Sequence, residues 1–217
     1  EYIETVWWEL ATMFERGLLY QGHKTLPYCP RCGTGLSSHE VAQGYKAVED
    51  PSVFLRMPVV SDEASAYKRD ADRTSLLAWT TTPWTLPANV ALAIAAEETY
   101  VEIEEGGERL IVARALAERT LAGRGRVVRE FPGSDLLGLR YEPPYRLTTD
   151  SAAHRVYAAG FVNMEDGTGI VHVASAFGED DYRLGQEVGL PFVQPVDLGG
   201  RFTDEFSLCA GAFVKDA

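Results

Sequence analysis

The sequence has little cysteine and little positive charge. Only three of its 217 residues are cysteine, and two of these stand in the pair Cys29-x-x-Cys32. This spacing argues against a disulfide framework and favours a reducing, cytoplasmic compartment. Lys and Arg number 20 against 32 Asp and Glu, which gives a net charge of −12. Because affinity for phosphate backbones comes largely from Lys and Arg, we expect the chain alone to bind nucleic acid weakly.

Long hydrophobic runs are also missing. No stretch approaches the roughly 20 apolar residues of a membrane span, and no signal-peptide pattern opens the chain, so no membrane partner is expected. The 46% of hydrophobic residues is enough for one sizeable core. Because the chain starts inside a helical pattern at Glu1 and stops at Ala217 without a terminal signal, we expect it to be a piece of a longer protein.

The hydrophobic pattern changes from helical to strand-like along the chain. Residues 1–18 show apolar positions at helical spacing, and helices are also predicted at 113–122 and 179–188. Frequent turns separate the short strands predicted near 53–59, 75–81, 99–104, 108–113, 125–130, 155–160, 168–173 and 192–196. The pair Gly106-Gly107 predicts a hairpin turn.

These elements predict a mixed α/β, β-rich fold. We expect a closed or strongly curled β-barrel core with peripheral helices, plus an N-terminal helix and a C-x-x-C knuckle arm. The predicted divisions are a connecting arm at 1–47, the β-barrel domain at 48–200 and a return segment at 201–217.

The most informative stretch is residues 79–89, which read Trp-Thr-Thr-Thr-Pro-Trp-Thr-Leu-Pro-Ala-Asn. Adjacent threonines are stiff at χ1, while Pro83 and Pro87 fix the backbone and remove two amide donors. The pattern predicts a rigid edge of hydroxyls and backbone polar groups at the end of a buried strand. Such an edge suits the recognition of a small polar ligand.

A second informative stretch begins at Gly167. It predicts a strand entered through glycines, with Ile170 and His172 on one face. A helix that opens with Glu179-Asp180-Asp181 follows. Together with the threonine run, this predicts one pocket lined by hydroxyls, an imidazole and a carboxylate.

Each of these signals also has a purely structural explanation. Threonines are good strand formers, and a lone histidine on a half-apolar strand is usually a core residue. Acidic residues in a first helical turn complement the helix dipole, and we favour this explanation for Glu179 and Asp180. The functional interpretation depends on the combination of the signals in this order along the chain.

The combination resembles the editing domain inserted in isoleucyl-tRNA synthetases, a family of class I aminoacyl-tRNA synthetases. The resemblance rests on residues 79–89, on Gly-Thr-Gly-Ile-Val-His followed by Gly-Glu-Asp-Asp-Tyr, on residues 28–46 and on the Trp-Trp pair near the start. Thr82 and Trp84 favour the isoleucine enzyme, since valyl and leucyl relatives typically carry Arg and an acidic residue there. One departure is the segment 175–178, Ser-Ala-Phe-Gly, where many members have Pro and Gly-His-Gly.

The resemblance implies hydrolytic proofreading. Water would attack the ester of valine mischarged onto tRNA(Ile), or valyl-adenylate, and isoleucine would be excluded by its size. One methylene gives a hydrophobic pocket only about 1–3 kcal/mol of discrimination, a limit for which isoleucyl-tRNA synthetase is itself the usual illustration. The implied partners are the 3′ end of tRNA(Ile) with attached valine, valyl-adenylate and the rest of the synthetase. His-Ile-Gly-His and Lys-Met-Ser-Lys-Ser are absent, so we expect no ATP-dependent activation here and no cofactor for editing.

The resemblance also implies roles for individual residues. The matching positions are Thr80, Thr81, Thr82 and Asp181 as catalytic residues, and Trp79, Thr85, His172 and again Asp181 as substrate-binding residues. Asp181 would bind the substrate ammonium, and its place at a helix N-terminus predicts that it stays ionised. His172 would limit side-chain size. No Ser-His-Asp constellation is present; because the ester is already reactive, positioning a water is expected to suffice, with the free ribose hydroxyl as one candidate proton acceptor.

The cysteine pair predicts half of a tetrahedral zinc site. Cys29 and Cys32 would need two further ligands, to which His23 or His39 could contribute, whereas Cys209 is isolated in the sequence. The resemblance implies that the partner cysteines lie outside this chain. A turn without metal is the alternative.

Two other functions remain open from the sequence. One is a non-catalytic insert of a valyl- or leucyl-type synthetase that only docks the tRNA acceptor end, although such a module is expected to be more basic. The other is an independent zinc-ribbon interaction protein, which the long strand-rich remainder disfavours.

Overall fold

A curled sheet of eight strands forms the centre of the fold. The computed structural model describes residues 1–60 and 73–217. The helices are α1 Tyr2–Glu15, α2 Ser38–Gly44, α3 Ala117–Leu121 and α4 Glu179–Val188. The strands are β1 Tyr28–Cys29, β2 Thr34–Gly35, β3 Val53–Pro58, β4 Thr74–Thr80, β5 Ala91–Ile94, β6 Thr99–Glu105, β7 Glu108–Ala113, β8 Arg126–Pro132, β9 Arg155–Ala158 and β10 Ile170–Val173.

Strand β4 lies at the branching point of this sheet. Strand β3 pairs antiparallel with one edge of β4, and both β7 and β10 pair parallel with β4. Beyond β10 the sheet continues through β5 to β9, and beyond β7 it continues through β6 to β8. β1 and β2 form a separate hairpin.

A short segment around Tyr141 closes the sheet into a ring. The amide of Tyr141 donates to the carbonyl of His154, just before β9, at 3.2 Å. The amide of Glu142 donates to the carbonyl of Pro58, at the end of β3, at 2.8 Å. The ring therefore contains β3, β4, β10, β5, β9 and this segment, which confirms the predicted closed or strongly curled barrel.

Apolar side chains fill the inside of the ring and cover two of its outer faces. The interior cluster consists of Met57, Val59, Leu76, Ala78, Leu92, Ile94, Tyr100, Ile111, Ala113, Leu116, Phe131, Leu136, Leu139, Tyr141, Val156 and Ile170. Outside, Leu121 of α3 packs in a cluster with residues of β6 and β7, while Leu184 of α4 packs with residues of β5 and β10. The peripheral helices thus cover the sheet, as the sequence predicts.

Most predicted elements are present, but the strand predicted at 192–196 is wrong. Pro191 and Pro195 have no amide hydrogen to donate to a ladder, and the segment forms only an isolated bridge from Val196 to Phe202. Strand β5 was not predicted because all four of its residues are buried, so it shows no apolar–polar alternation. The predicted hairpin turn is confirmed: Gly106 and Gly107 have φ of 60° and 88° between β6 and β7.

The two ends of the chain differ in their contacts. Helix α1 has no buried residue, so its apolar face is exposed. Near the other end, the ammonium of Lys215 contacts the carboxylate of Asp50 at 2.5 Å. The division into arm, barrel domain and return segment stays a prediction. Within the part of the chain that the structure describes, no helix has the length and apolarity needed to cross a bilayer.

Two glycines allow a matched test of crowding at the entry to β10. Gly169 and Gly138 have nearly the same left-handed φ, 74° and 75°. A Cβ on Gly169 would lie 2.4 Å from the Cβ of Ala113, whereas a Cβ on Gly138 would meet nothing within 4 Å. Gly138→Ala is expected to lower the free energy of unfolding by about 1–2 kcal/mol from backbone strain. Gly169→Ala should lose a further ~1–3 kcal/mol from overpacking. Urea unfolding measures both; equal losses would contradict the packing at this point.

Candidate active site

The candidate site lies where β4 and β10 end side by side. The two strands are parallel and pair at Trp79 and Val171, so their carboxyl ends meet at the same edge of the sheet. A cavity of about 330 Å³ opens there. All seven residues predicted as catalytic or substrate-binding line it: Trp79, Thr80, Thr81, Thr82, Thr85, His172 and Asp181.

The threonine run leaves the strand earlier than the sequence predicts. β4 ends at Thr80, and Pro83 begins a 3₁₀ turn that extends to Ala88. The hydroxyls of Thr80 and Thr82 lie 3.3 Å apart, and the amide of Thr82 donates to the Thr80 hydroxyl at 3.1 Å. Thr80 is buried, whereas Thr81 and Thr82 are exposed. Thr81 also lines a neighbouring cavity of about 340 Å³.

His172 is buried, and both of its ring nitrogens have protein partners. Its Nε2 lies 3.0 Å from the Thr85 hydroxyl, which donates to the carbonyl of Thr82 at 2.8 Å. Its Nδ1 lies 2.8 Å from the side-chain nitrogen of Asn89. Burial lowers the pKa of His172 to about 4, although the backbone of Thr85 acts in the opposite direction. The imidazole is therefore neutral at neutral pH.

Asp181 lies in the first turn of α4 and bends back toward β10. Its Oδ2 accepts a hydrogen bond from the amide of Ala174 at 2.9 Å. Gly178 makes this possible, since a Cβ there would lie 2.9 Å from the Asp181 carboxyl carbon. Burial raises the pKa of Asp181 to about 6, the Ala174 hydrogen bond lowers it, and the charge of Asp180 raises it.

The position of Asp181 at the helix N-terminus does not keep its pKa low, although the carboxyl is still ionised at neutral pH. Desolvation outweighs the favourable position at the helix end, because a carboxylate loses more by leaving water than it gains from the helix dipole. Asp181 is largely ionised at pH 7 and takes up a proton just below neutrality. Glu179 and Asp180 instead pair with Arg183 in solvent, which agrees with their purely structural interpretation.

Sequence reasoning missed some residues that line the cavity and others that support it from behind. Asn89 was noticed only as the end of the threonine run, and Tyr141, whose hydroxyl donates to Asn89 at 2.5 Å, gave no signal in the sequence. Asn163 and Asp166 also line the cavity. In the segment that departs from the family pattern, the ring of Phe177 contacts that of Trp84 edge-on at 5.1 Å between centroids, so this segment builds part of the wall.

The cysteine pair lies apart from this cavity, on the β1–β2 hairpin. Hydrogen bonds from the Cys32 backbone and side chain lower the pKa of the Cys29 thiol. Among the residues that the structure describes, no three His, Cys, Asp or Glu side chains are placed to hold a metal ion together. His23 stacks on Phe192 at 5.1 Å and His39 contacts Gln43, and a contribution of either histidine to a zinc site stays a prediction. A zinc ion bound with ligands from outside the chain stays a prediction.

Comparisons with known proteins place these residues in a family context. The model of class I tRNA synthetases (I, L, M and V) matches residues 1–202. The isoleucine–tRNA ligase of Clostridium novyi is 51% identical over 217 residues, which are 100% of this chain and 20% of that protein. The ligase of Thermus thermophilus is 48% identical over 204 residues, 94% of this chain and 19% of that protein. This chain thus spans about a fifth of the length of these relatives.

One solved structure shows the same fold. The structure named GlLeuRS-CP1 aligns with a TM-score of 0.53 and covers 64% of this chain and 60% of its own. The sequence identity is 20%, so this likeness concerns the fold alone.

The shifted pKa values of His172 and Asp181 predict how the stability of the fold depends on pH, and the substitution Asp181→Asn tests this dependence. The unfolded His172, with a pKa of 6.5, takes up a proton before the folded one does, so its contribution to stability falls as the pH drops from 6.5 to about 4. Asp181 acts with the opposite sign. The folded carboxyl, with a pKa of about 6, is protonated before the unfolded one, with a pKa of 3.8, so its contribution to stability rises as the pH drops. Asp181→Asn removes this compensation, and the loss of stability on acidification should steepen by up to about 1.4 kcal/mol per pH unit.

Urea unfolding between pH 6.5 and 4.5 measures this effect. Glu187→Gln, at an exposed carboxylate of the same helix α4, is the control and should keep the slope of the parent chain. A slope in Asp181→Asn equal to that of the control would show that Asp181 is not desolvated as described.

Proposed function

Because this chain belongs to the class I tRNA synthetases of the isoleucine, leucine, methionine and valine group, we propose that it is an editing domain of isoleucine–tRNA ligase. In this role it hydrolyses valine mischarged onto tRNA(Ile), and valyl-adenylate is a second substrate of the same site. The observation that carries the proposal is the convergence of threonine hydroxyls, the carboxylate of Asp181 and the neutral imidazole of His172 on one cavity.

Asp181 is proposed to bind the ammonium of the substrate. One carboxylate oxygen accepts the Ala174 amide, and the other accepts no hydrogen bond from the residues that the structure describes. A charge-assisted hydrogen bond in a partly desolvated site is stronger than one in water. An arriving ammonium would also favour the ionised form of Asp181 and lower its raised pKa.

The threonine run is proposed to hold the reacting groups. The hydroxyls of Thr80 and Thr82 lie 3.3 Å apart, which supports a role in orienting a water molecule against the ester carbonyl. Thr81 lines both cavities, which supports a contact with the adenosine. The oxygen of water bonds to the carbonyl carbon, the ester C–O bond breaks, and the proton of water ends on the ribose oxygen. The products are valine and tRNA with a free terminal hydroxyl.

His172 is proposed to set the size limit. A neutral ring without a free nitrogen is a poor general base, since both of its nitrogens are already occupied by Thr85 and Asn89. Held from both sides, the ring presents a fixed surface to the cavity. A fixed wall excludes the additional methylene of isoleucine because the cavity cannot expand without breaking these hydrogen bonds.

A non-catalytic role in docking the tRNA acceptor end of a valyl- or leucyl-type synthetase is less well supported. The net charge of −12 disfavours docking by phosphate contacts alone. Thr82 and Trp84 match the isoleucine enzymes in the resemblance described above. The partial burial of Asp181 within the cavity also suits an ammonium better than a phosphate.

Asp181→Ala is expected to reduce deacylation of Val-tRNA(Ile) by at least tenfold, the factor that corresponds to the ~1.5–3 kcal/mol of a hydrogen bond to a charged group. The rate of the parent chain should rise with pH across about 6 as Asp181 ionises. Deacylation of the charged tRNA is measured over pH 5–8, together with calorimetric binding of a non-hydrolysable valyl-adenosine analogue. Asp180→Ala is the matched control. Full activity and full binding in Asp181→Ala would rule out the assignment.

His172→Ala is expected to admit isoleucine, because it removes the ring that limits the cavity. Correctly charged Ile-tRNA(Ile), resistant to the parent chain, should then be hydrolysed at a rate within about 200-fold of Val-tRNA(Ile), since one methylene gives only ~1–3 kcal/mol of discrimination. His39→Ala, on the exposed face of α2, is the control. Continued resistance of Ile-tRNA(Ile) in a folded His172→Ala chain would exclude the steric role.

A further inference from the structure

Asn89 has only one satisfactory amide orientation. Its side-chain nitrogen donates to the carbonyl of Ala91 at 3.0 Å, and its oxygen accepts from the hydroxyl of Tyr141 at 2.5 Å. A flipped amide would place two acceptor oxygens against each other at Ala91. The nitrogen that faces Nδ1 of His172 at 2.8 Å is therefore a donor.

This orientation determines which nitrogen of His172 carries the proton. Because Asn89 donates to Nδ1, that nitrogen is the acceptor, and the single proton of the neutral ring is on Nε2. Nε2 then donates to the Thr85 hydroxyl. This hydroxyl in turn donates a hydrogen bond to the carbonyl of Thr82. The hydrogen bonds from Tyr141 through Asn89, His172 and Thr85 to Thr82 thus run in one direction, and every donor hydrogen in this series has an acceptor.

Tyr141 is the fixed end of this chain of hydrogen bonds. It is 1% exposed and packs in the interior cluster. Its backbone belongs to the segment that closes the ring between β9 and β3. Burial raises the pKa of Tyr141 well above its usual value, so its hydroxyl remains a donor throughout the physiological pH range.

We propose that Tyr141 is a positioning residue that acts through Asn89 to hold His172 in one tautomer and one orientation, and so fixes the wall of the cavity. That this wall sets the size limit for the amino acid rests on the proposed function. Tyr141 does not itself line the cavity; its effect reaches the site through two side chains. The ring closure of the barrel and the shape of the site are thereby linked.

Nitrogen NMR of histidine-labelled protein tests the tautomer directly. The chain has only four histidines, and His172→Gln identifies the signals of His172. The parent chain should show a proton-free Nδ1 and a protonated Nε2. A proton on Nδ1 of His172 in the parent chain would overturn the proposal whatever the variants do.

Tyr141→Phe removes one hydroxyl without changing the packing volume. It should leave the fold intact and give His172 mixed tautomers or a shifted titration. Tyr157→Phe is the control. The hydroxyl of Tyr157 donates to the carbonyl of Ala152 at 2.6 Å and takes no part in the series of hydrogen bonds from Tyr141 to Thr82. His172 signals in Tyr141→Phe identical to those of the control would overturn the proposal.

Measurements of hydrolysis distinguish a failure of this proposal from a failure of the proposed function. The ratio of Ile-tRNA(Ile) to Val-tRNA(Ile) hydrolysis should rise about five- to tenfold in Tyr141→Phe, the factor of one buried hydrogen bond, with valine hydrolysis largely kept. An unchanged ratio in an active parent chain would count against Tyr141 as the support of the wall. If the parent chain hydrolyses neither substrate, the proposed function fails, and the NMR result still decides the position of the proton.

Discussion

The imidazole of His172 is buried, and its two nitrogens must find their partners inside the protein. An unpaired buried polar atom costs about 1–3 kcal/mol, so the surrounding structure is constrained to supply a hydrogen bond on each side. Thr85 supplies one from the 3₁₀ turn that follows β4, and Asn89 supplies the other from the end of that turn. The placement of the turn, and with it the path of the threonine run, depends on these two contacts.

The same constraint links the site to the barrel. Asn89 is held by Tyr141, and Tyr141 belongs to the segment whose hydrogen bonds join β9 to β3. The candidate site therefore has two parts of different character. His172 and its partners form a neutral, hydrogen-bonded wall, while Asp181 is a desolvated carboxyl with a raised pKa. In the proposed function the first part excludes by size and the second binds by charge.

Local patterns in the sequence predicted much of this arrangement. The run from Trp79 to Asn89 and the strand with His172 carry their own signals, since prolines, glycines and alternation act over a few residues. Where the local pattern predicts the wrong structure, the cause is burial on both faces of a strand or a lack of backbone amide donors. Strand β5 is buried on both faces and shows no alternation, and the prolines at 191 and 195 prevent the strand predicted there.

The sequence by itself determined the kinds of groups at the site, their order along the chain, and the strands and helix that carry them. The tertiary structure decided their environment. Asn89 and Tyr141 are separated by 52 positions, and Asn89 and His172 by 83, so no local pattern could pair them. The pKa of Asp181 and that of His172 were also decided by folding, because desolvation depends on what packs around a group and not on its neighbours along the chain.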